Sequence, residues 1–187
     1  MYKIITPVMA EPISVAEVRQ HLRLPENDDE DSLLMSLITT ARTYCEDFTR
    51  RALAEQTLEL LLDRFPVFGA IELPSPPLRN VISVRYKDSE GAESMVSADV
   101  YIADIDNDPG QVMPQSGFTW PVFAPYPSSP IRIRFVAGYE ILPIALRQAM
   151  LLLIGHWYEN REATSAATDE TAFSVHALLA PYRVEVF

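Results

Sequence analysis

The chain has 187 residues, enough for one domain or for a domain carrying an insertion, with room for a proper core. Its 48% hydrophobic and 22% charged content is that of an ordinary globular chain. Its net charge of −11 argues against a general nucleic-acid binder, which needs a basic face against phosphates, though not against a protein that lets DNA pass ungripped.

The start, MYKIITPVMAEPIS, lacks an apolar run of signal-peptide length, so a cytoplasmic protein is expected. The first helix opens on a capping box, Ser14 with Glu17, and Ile13 and Val18 are spaced as a hydrophobic staple. It runs to about Leu22 and stops before Pro25. The acidic loop Glu26–Asp31 follows; its carboxylates from Asp28 to Asp31 are expected to cap the next helix, since no histidine or fixed ligand frame supports a metal there. That second helix, about Asp31–Arg50, carries Leu33, Leu34, Leu37, Ile38, Ala41, Tyr44, Cys45 and Phe48 on one stripe.

The next 80 or so residues change period. Thr57–Phe65 alternates as a strand, Pro74, Pro76 and Pro77 interrupt, and Val81–Tyr86 alternates again. The turn at Asp88–Gly91 predicts a hairpin back through Ser94–Val96, and Tyr101–Ile105, Gln111–Met113 and Ile131–Val136 are further short strands. Gly117–Pro130, GFTWPVFAPYPSSP, reads as a proline- and aromatic-rich loop.

Pro143–Arg161 is the most apolar segment. Leu146, Ala149, Met150, Leu153 and Trp157 form one stripe, while Leu151, Ile154 and Tyr158 form a second, which predicts burial on two sides and marks the second stripe as a candidate subunit contact. Its uncharged run, Gln148–Tyr158, is about half of the roughly 20 residues a membrane span needs, so it is a core helix. Glu162–Thr171 reads as a mobile linker, Ser174–Leu179 as a short last helix, and Tyr182–Phe187 as an apolar tail that either docks to a partner or folds back. The fold class is therefore α+β: a short N-terminal helix and two long helices form a frame at 12–53 and 143–162. A small antiparallel sheet is inserted at 57–137, a flexible tail follows at 163–187, and the whole is a single domain.

Nothing in the residues points to catalysis. Asp104, Asp106 and Asp108 begin like a calcium loop, but Pro109 stands where the sharp turn needs glycine and Gln115 where a bidentate glutamate is needed; a β-turn with solvated carboxylates is expected. His21, His156 and His176 have no zinc spacing. Cys45 cannot form an internal disulfide and sits among Tyr44, Ala41 and Phe48, where its thiol is expected to be inert. Phosphate loops, nucleophile elbows and dinucleotide fingerprints are missing from the sequence.

Seven segments in order, EPISVAEVRQHLRL at 11–24, the helix at 28–53, LDRFP at 62–66, IELPSPPLRNVISVRY at 71–86, VAGY at 136–139, RQAMLLLIGHWYENREA and ALLAPYRV at 177–184, resemble the head–tail connector (adaptor) proteins of long-tailed phages and prophages. The resemblance covers nearly the whole chain. It implies a structural virion protein with no catalytic residue, cofactor or metal, assembled in the host cytoplasm. It further implies a ring, typically of twelve copies, beneath the portal protein, with a tail-side protein as second partner. DNA passes through without sequence-specific binding, and no membrane is involved. A free monomer is compatible with rings that form only on the portal. Family analogy puts the portal contact at Tyr182, Val184 and Phe187. The alternatives are a prophage-encoded binding module outside the virion, and a metal-dependent enzyme using Asp104, Asp106 and Asp108.

Overall fold

A computed structural model describes residues 1–25, 29–67, 69–160 and 168–185. The chain is α+β and divides into two compact units. One comprises residues 1–9 and 55–138, the other residues 10–54 and 139–187. The first nine residues belong to the β unit, with residues 55–138.

In the helical unit, α1 (Val15–Leu22) begins as predicted, with the Ser14 hydroxyl accepting from the Glu17 N–H at 3.2 Å. The Glu17 carboxylate does not complete the capping box. It binds Arg147 at 2.8 Å. Helix α2 (Asp31–Thr49) has no side-chain cap at its start. Asp31, expected to cap it, instead takes the Arg19 guanidinium at 2.5 Å, and a second Arg19 nitrogen donates to the Pro25 carbonyl at 2.9 Å. An ion pair with its own backbone hydrogen bond outweighs a cap at an exposed helix end. The expected cap at Asp28 lies outside the described residues.

Helix α3 (Ile144–Glu159) packs against both α2 and α4 (Thr168–Leu179). Leu146, Ala149, Met150 and Ile154 are fully buried, and the core continues through Ile13, Val18, Leu34, Ile38, Ala41, Cys45, Leu53, Val175 and Leu179. Among the described residues, no helix is long and apolar enough to cross a membrane. A polar clamp ties down α2: Arg42 binds Glu11 at 2.7 Å and Glu46 at 2.6 Å, while Glu46 also accepts from the Leu53 N–H at 2.9 Å. Burial pushes the Glu46 carboxyl upward, against the opposing pull of Leu53 and Arg42.

The β unit contains two antiparallel sheets. The larger has the order β1–β2–β8–β4–β5, from β1 (Tyr2–Thr6), β2 (Gln56–Leu62), β8 (Ile131–Ala137), β4 (Leu78–Lys87) and β5 (Glu93–Met95). The smaller pairs β3 (Ile71–Glu72), β7 (Gln111–Pro114) and β6 (Tyr101–Asp104). The hairpin β4–β5 forms as predicted, with Arg85 opposite Met95. Leu58, Leu60, Ile131, Ile133, Phe135 and Val84 share one face and are buried. Gly110 is fixed by crowding, because a Cβ there would lie 2.4 Å from the Leu78 Cβ.

Two outcomes follow from this packing. Gly110→Ala should force the β7 approach away from Leu78 and lower stability by about 1–3 kcal/mol, read from the urea midpoint. Cys45 is buried and its thiol is pushed up to about 12 from an ordinary 9.0, chiefly by desolvation and secondarily by Glu46. The stability this neutral thiol contributes is complete below 9.0 and is lost as pH rises through about 12. Unfolding midpoints should therefore fall across that window, the Cys45→Ala variant should show a flatter alkaline limb, and the native thiol should resist DTNB at pH 8.

Candidate assembly surfaces

The two residue sets singled out as contacts fare differently. The second stripe of α3 is not a free surface. Ile154 is fully buried and Leu151 is 8% exposed, both inside the helical unit's own core. Val175 and Leu179 of α4 join that core, and α4 packs against α3. Tyr158 is half-buried, and its hydroxyl donates to Glu30 at 2.5 Å. The sequence showed that a second face is apolar but could not show which element of the chain covers it.

The C-terminal segment is also not a flexible tail through the described residues. Residues 168–171, assigned to a linker, open α4; residues 161–167 lie outside the described part. After α4 a short 3₁₀ turn spans Ala180–Tyr182. The Tyr182 carbonyl accepts from Arg51 Nε at 2.5 Å, and the Val184 N–H donates to the Thr49 carbonyl at 2.9 Å. His176 stacks on Phe48 with centroids 4.9 Å apart and lies 3.2 Å from the Tyr44 hydroxyl, while Arg183 sits over the Phe48 ring. Tyr182 and Val184 are thus tied to the end of α2. Phe187 lies outside the described residues.

The β unit holds a surface that the sequence reading left as a loop. Phe65 stacks on Trp120 with centroids 4.7 Å apart, and Phe123 contacts Phe65 edge-on and Tyr86 at 4.6 Å. Phe65, Trp120, Phe123 and the neighbouring prolines line an open groove of about 830 Å³. Val122 is wholly exposed and Val67 is 86% exposed at its rim. The Trp120 indole Nε1 is buried with no acceptor among the described residues. The aromatic and proline density of GFTWPVFAPYPSSP was the signal for this groove, but a loop composition does not reveal which rings stack. The loop is held in place where Asp88 bridges Pro125 and Lys87 lies 4.0 Å over the Tyr126 ring.

The residues weighed for chemistry stay apart or are occupied structurally. Asp104 Oδ1 accepts from the Asp106 and Asn107 N–H groups at 3.2 Å, so this carboxylate holds the backbone of its own loop. His21, His156 and Glu159 line a cleft of about 430 Å³ in the helical unit, well separated in role from His176 on Phe48. Among the described residues no three of His, Cys, Asp and Glu are grouped to hold a metal ion.

Residues 12–115, more than half of the chain, match the family model of the phage gp6-like head-tail connector protein. The chain belongs to this family. Solved structures agree over a longer span. A chain in the neck of an empty GTA particle computed with C6 symmetry is 30% identical with a TM-score of 0.80. Chains in the virion of a native gene transfer agent (GTA) particle and in the neck of a native GTA particle computed with C12 symmetry are each 29% identical, with TM-scores of 0.78 and 0.75. In all three the match covers 100% of this chain and 97% of the other. No curated protein matches. The connector is thus a structural protein of the head–tail connector class.

The anchoring of the C-terminus makes a distinction measurable. A connector ending at Tyr182 loses the Val184 hydrogen bond, worth about 1 kcal/mol, and should melt close to the full chain. One ending at Thr171 loses Val175 and Leu179, each contributing about 1.5–3 kcal/mol by burial, and should lose its cooperative transition in circular dichroism. If the longer deletion melted like the intact chain, α4 would not be the cover of α3.

Proposed function

We propose that this connector forms a ring in the neck of a phage, prophage or gene-transfer particle, between the portal protein and a tail-side protein, and extends the channel through which DNA passes. The observation that carries this reading is the end-to-end likeness to neck chains, with nothing of consequence left over on either side. The rotational symmetry stated for those necks favours a ring, and twelve copies is the proposed number. A net charge of −11 suits a channel wall that repels phosphates instead of gripping them. In this reading the protein performs no reaction, needs no cofactor or metal, assembles in the host cytoplasm and works in the virion.

The portal contact is proposed at the C-terminal end, including Tyr182, Val184 and Phe187, where Arg51 and Thr49 hold the backbone of Tyr182 and Val184. A fixed backbone lowers the ordering cost of docking relative to a wholly free tail. Electron microscopy of the connector mixed with purified portal rings tests both statements. Added density beneath the ring, following its symmetry, is expected for the intact chain and should vanish for the chain ending at Tyr182. Portal rings that stay bare at saturating connector would refute the connector–portal assignment, and undiminished binding of the shortened chain would refute the C-terminal contact.

A further inference from the structure

The outer face of the larger sheet, opposite its buried Leu58, Ile133 and Phe135 face, collects positive charge in an acidic protein. Strand register sets it out in rows. In one row Lys3, Glu59, Arg134 and Ser83 stand side by side across β1, β2, β8 and β4. Glu59 neutralises Arg134 there at 2.8 Å. In the next row Leu61, Arg132, Arg85 and Met95 stand side by side across β2, β8, β4 and β5. This row contains no acid, and Arg85 lies directly opposite Arg132.

Like charges directly opposed across strands destabilise a sheet. Among the described residues neither Arg85 nor Arg132 has an ion-pair partner, and the buried Arg85 Nε has no acceptor. A buried donor left unmade is a standing penalty, which an anion would remove once the Arg85 guanidinium turned outward to meet it. Arg132 remains exposed, and Met95 beside the pair is 60% exposed, so the place is open to a partner. Two guanidinium forks beside an apolar thioether fit a protein carboxylate, which accepts two parallel N–H bonds.

We propose that Arg85 and Arg132 form an inter-subunit anion site that receives a carboxylate of the adjacent connector copy. This rests on the ring reading above. Charge complementarity selects the partner: every copy carries a net −11, so a neighbour offers acids, while a row of two arginines is too short to track a phosphate backbone. The arginine row and the acid it meets are different surfaces of one chain, so the contact is heterologous, the kind that closes a ring.

The test uses full-length connector assembled on portal rings. Arg132→Glu and Arg85→Gln variants, relieved of the like-charge opposition, should melt at or above the wild-type temperature, yet require about tenfold or more protein to half-fill the ring. Wild-type assembly should weaken with rising sodium chloride, and the variants should lose most of that dependence. A high-resolution map of the ring should place a neighbouring connector's carboxylate against the pair. Solvent, a DNA phosphate or a different protein at that position would overturn the inference, as would variants that assemble normally. Failure of the wild type to form any ring would instead remove the ring reading itself, whereas a ring with both arginines outside the copy–copy contact removes only this site.

Discussion

The helical unit depends on α3 having no polar side to offer. A helix apolar around most of its circumference is stable in water only if two elements cover it. Here both α2 and α4 pack on it, and Leu146, Ala149, Met150 and Ile154 are excluded from solvent altogether. Each such aliphatic side chain contributes about 1.5–3 kcal/mol by burial, so the few described apolar residues of α4 matter well beyond their number. The polar bonds then orient what the core holds. Arg19 links the end of α1 to the start of α2, and Arg147 links α3 back to Glu17. Glu46 uses both oxygens to fasten the segment that leaves α2. This requirement also explains how a sizeable β unit can interrupt the frame, because loop-closure entropy grows only slowly with length.

Much of this was legible in the sequence, for identifiable reasons. Ser14 with Glu17, and the stripe from Leu34 to Phe48, are local patterns whose meaning does not depend on distant residues. The β4–β5 hairpin likewise follows from alternation around the turn at Asp88–Gly91. Strand β1 escaped because an edge strand exposed on both faces shows no inside–outside alternation: Tyr2, Ile4 and Ile5 are all substantially exposed. The start of α4 escaped because Thr168, Asp169 and Glu170 have the composition of a linker, although the same residues favour a helix N-terminus.

Surfaces were less legible than the fold. A stripe at helical spacing says that Leu151 and Ile154 are buried, but not by what; it took the position of Val175 and Leu179 to decide that. Stacking of Phe65 on Trp120 joins residues far apart in the chain, as does the opposition of Arg85 and Arg132. The latter also depends on an irregularity in the β4–β8 register between Val81 and Ser83, which no periodicity rule predicts. Connector function was recognisable through family likeness because such likeness integrates many weak local signals, whereas an interface depends on a few residues whose juxtaposition only the folded chain creates.

The assignment of residues 1–9 to the β unit means that the backbone passes from one unit to the other three times, after Met9, Ala54 and Gly138. A tether of three covalent strands behaves unlike a single hinge. A nick in any one crossing leaves the units joined, and a pull along the neck is shared among three peptide segments. The same topology limits modular exchange: transplanting residues 55–138 alone into another connector would leave β2 without the strand that covers its edge. The unit of inheritance is therefore discontinuous, the N-terminal strand and the insertion together.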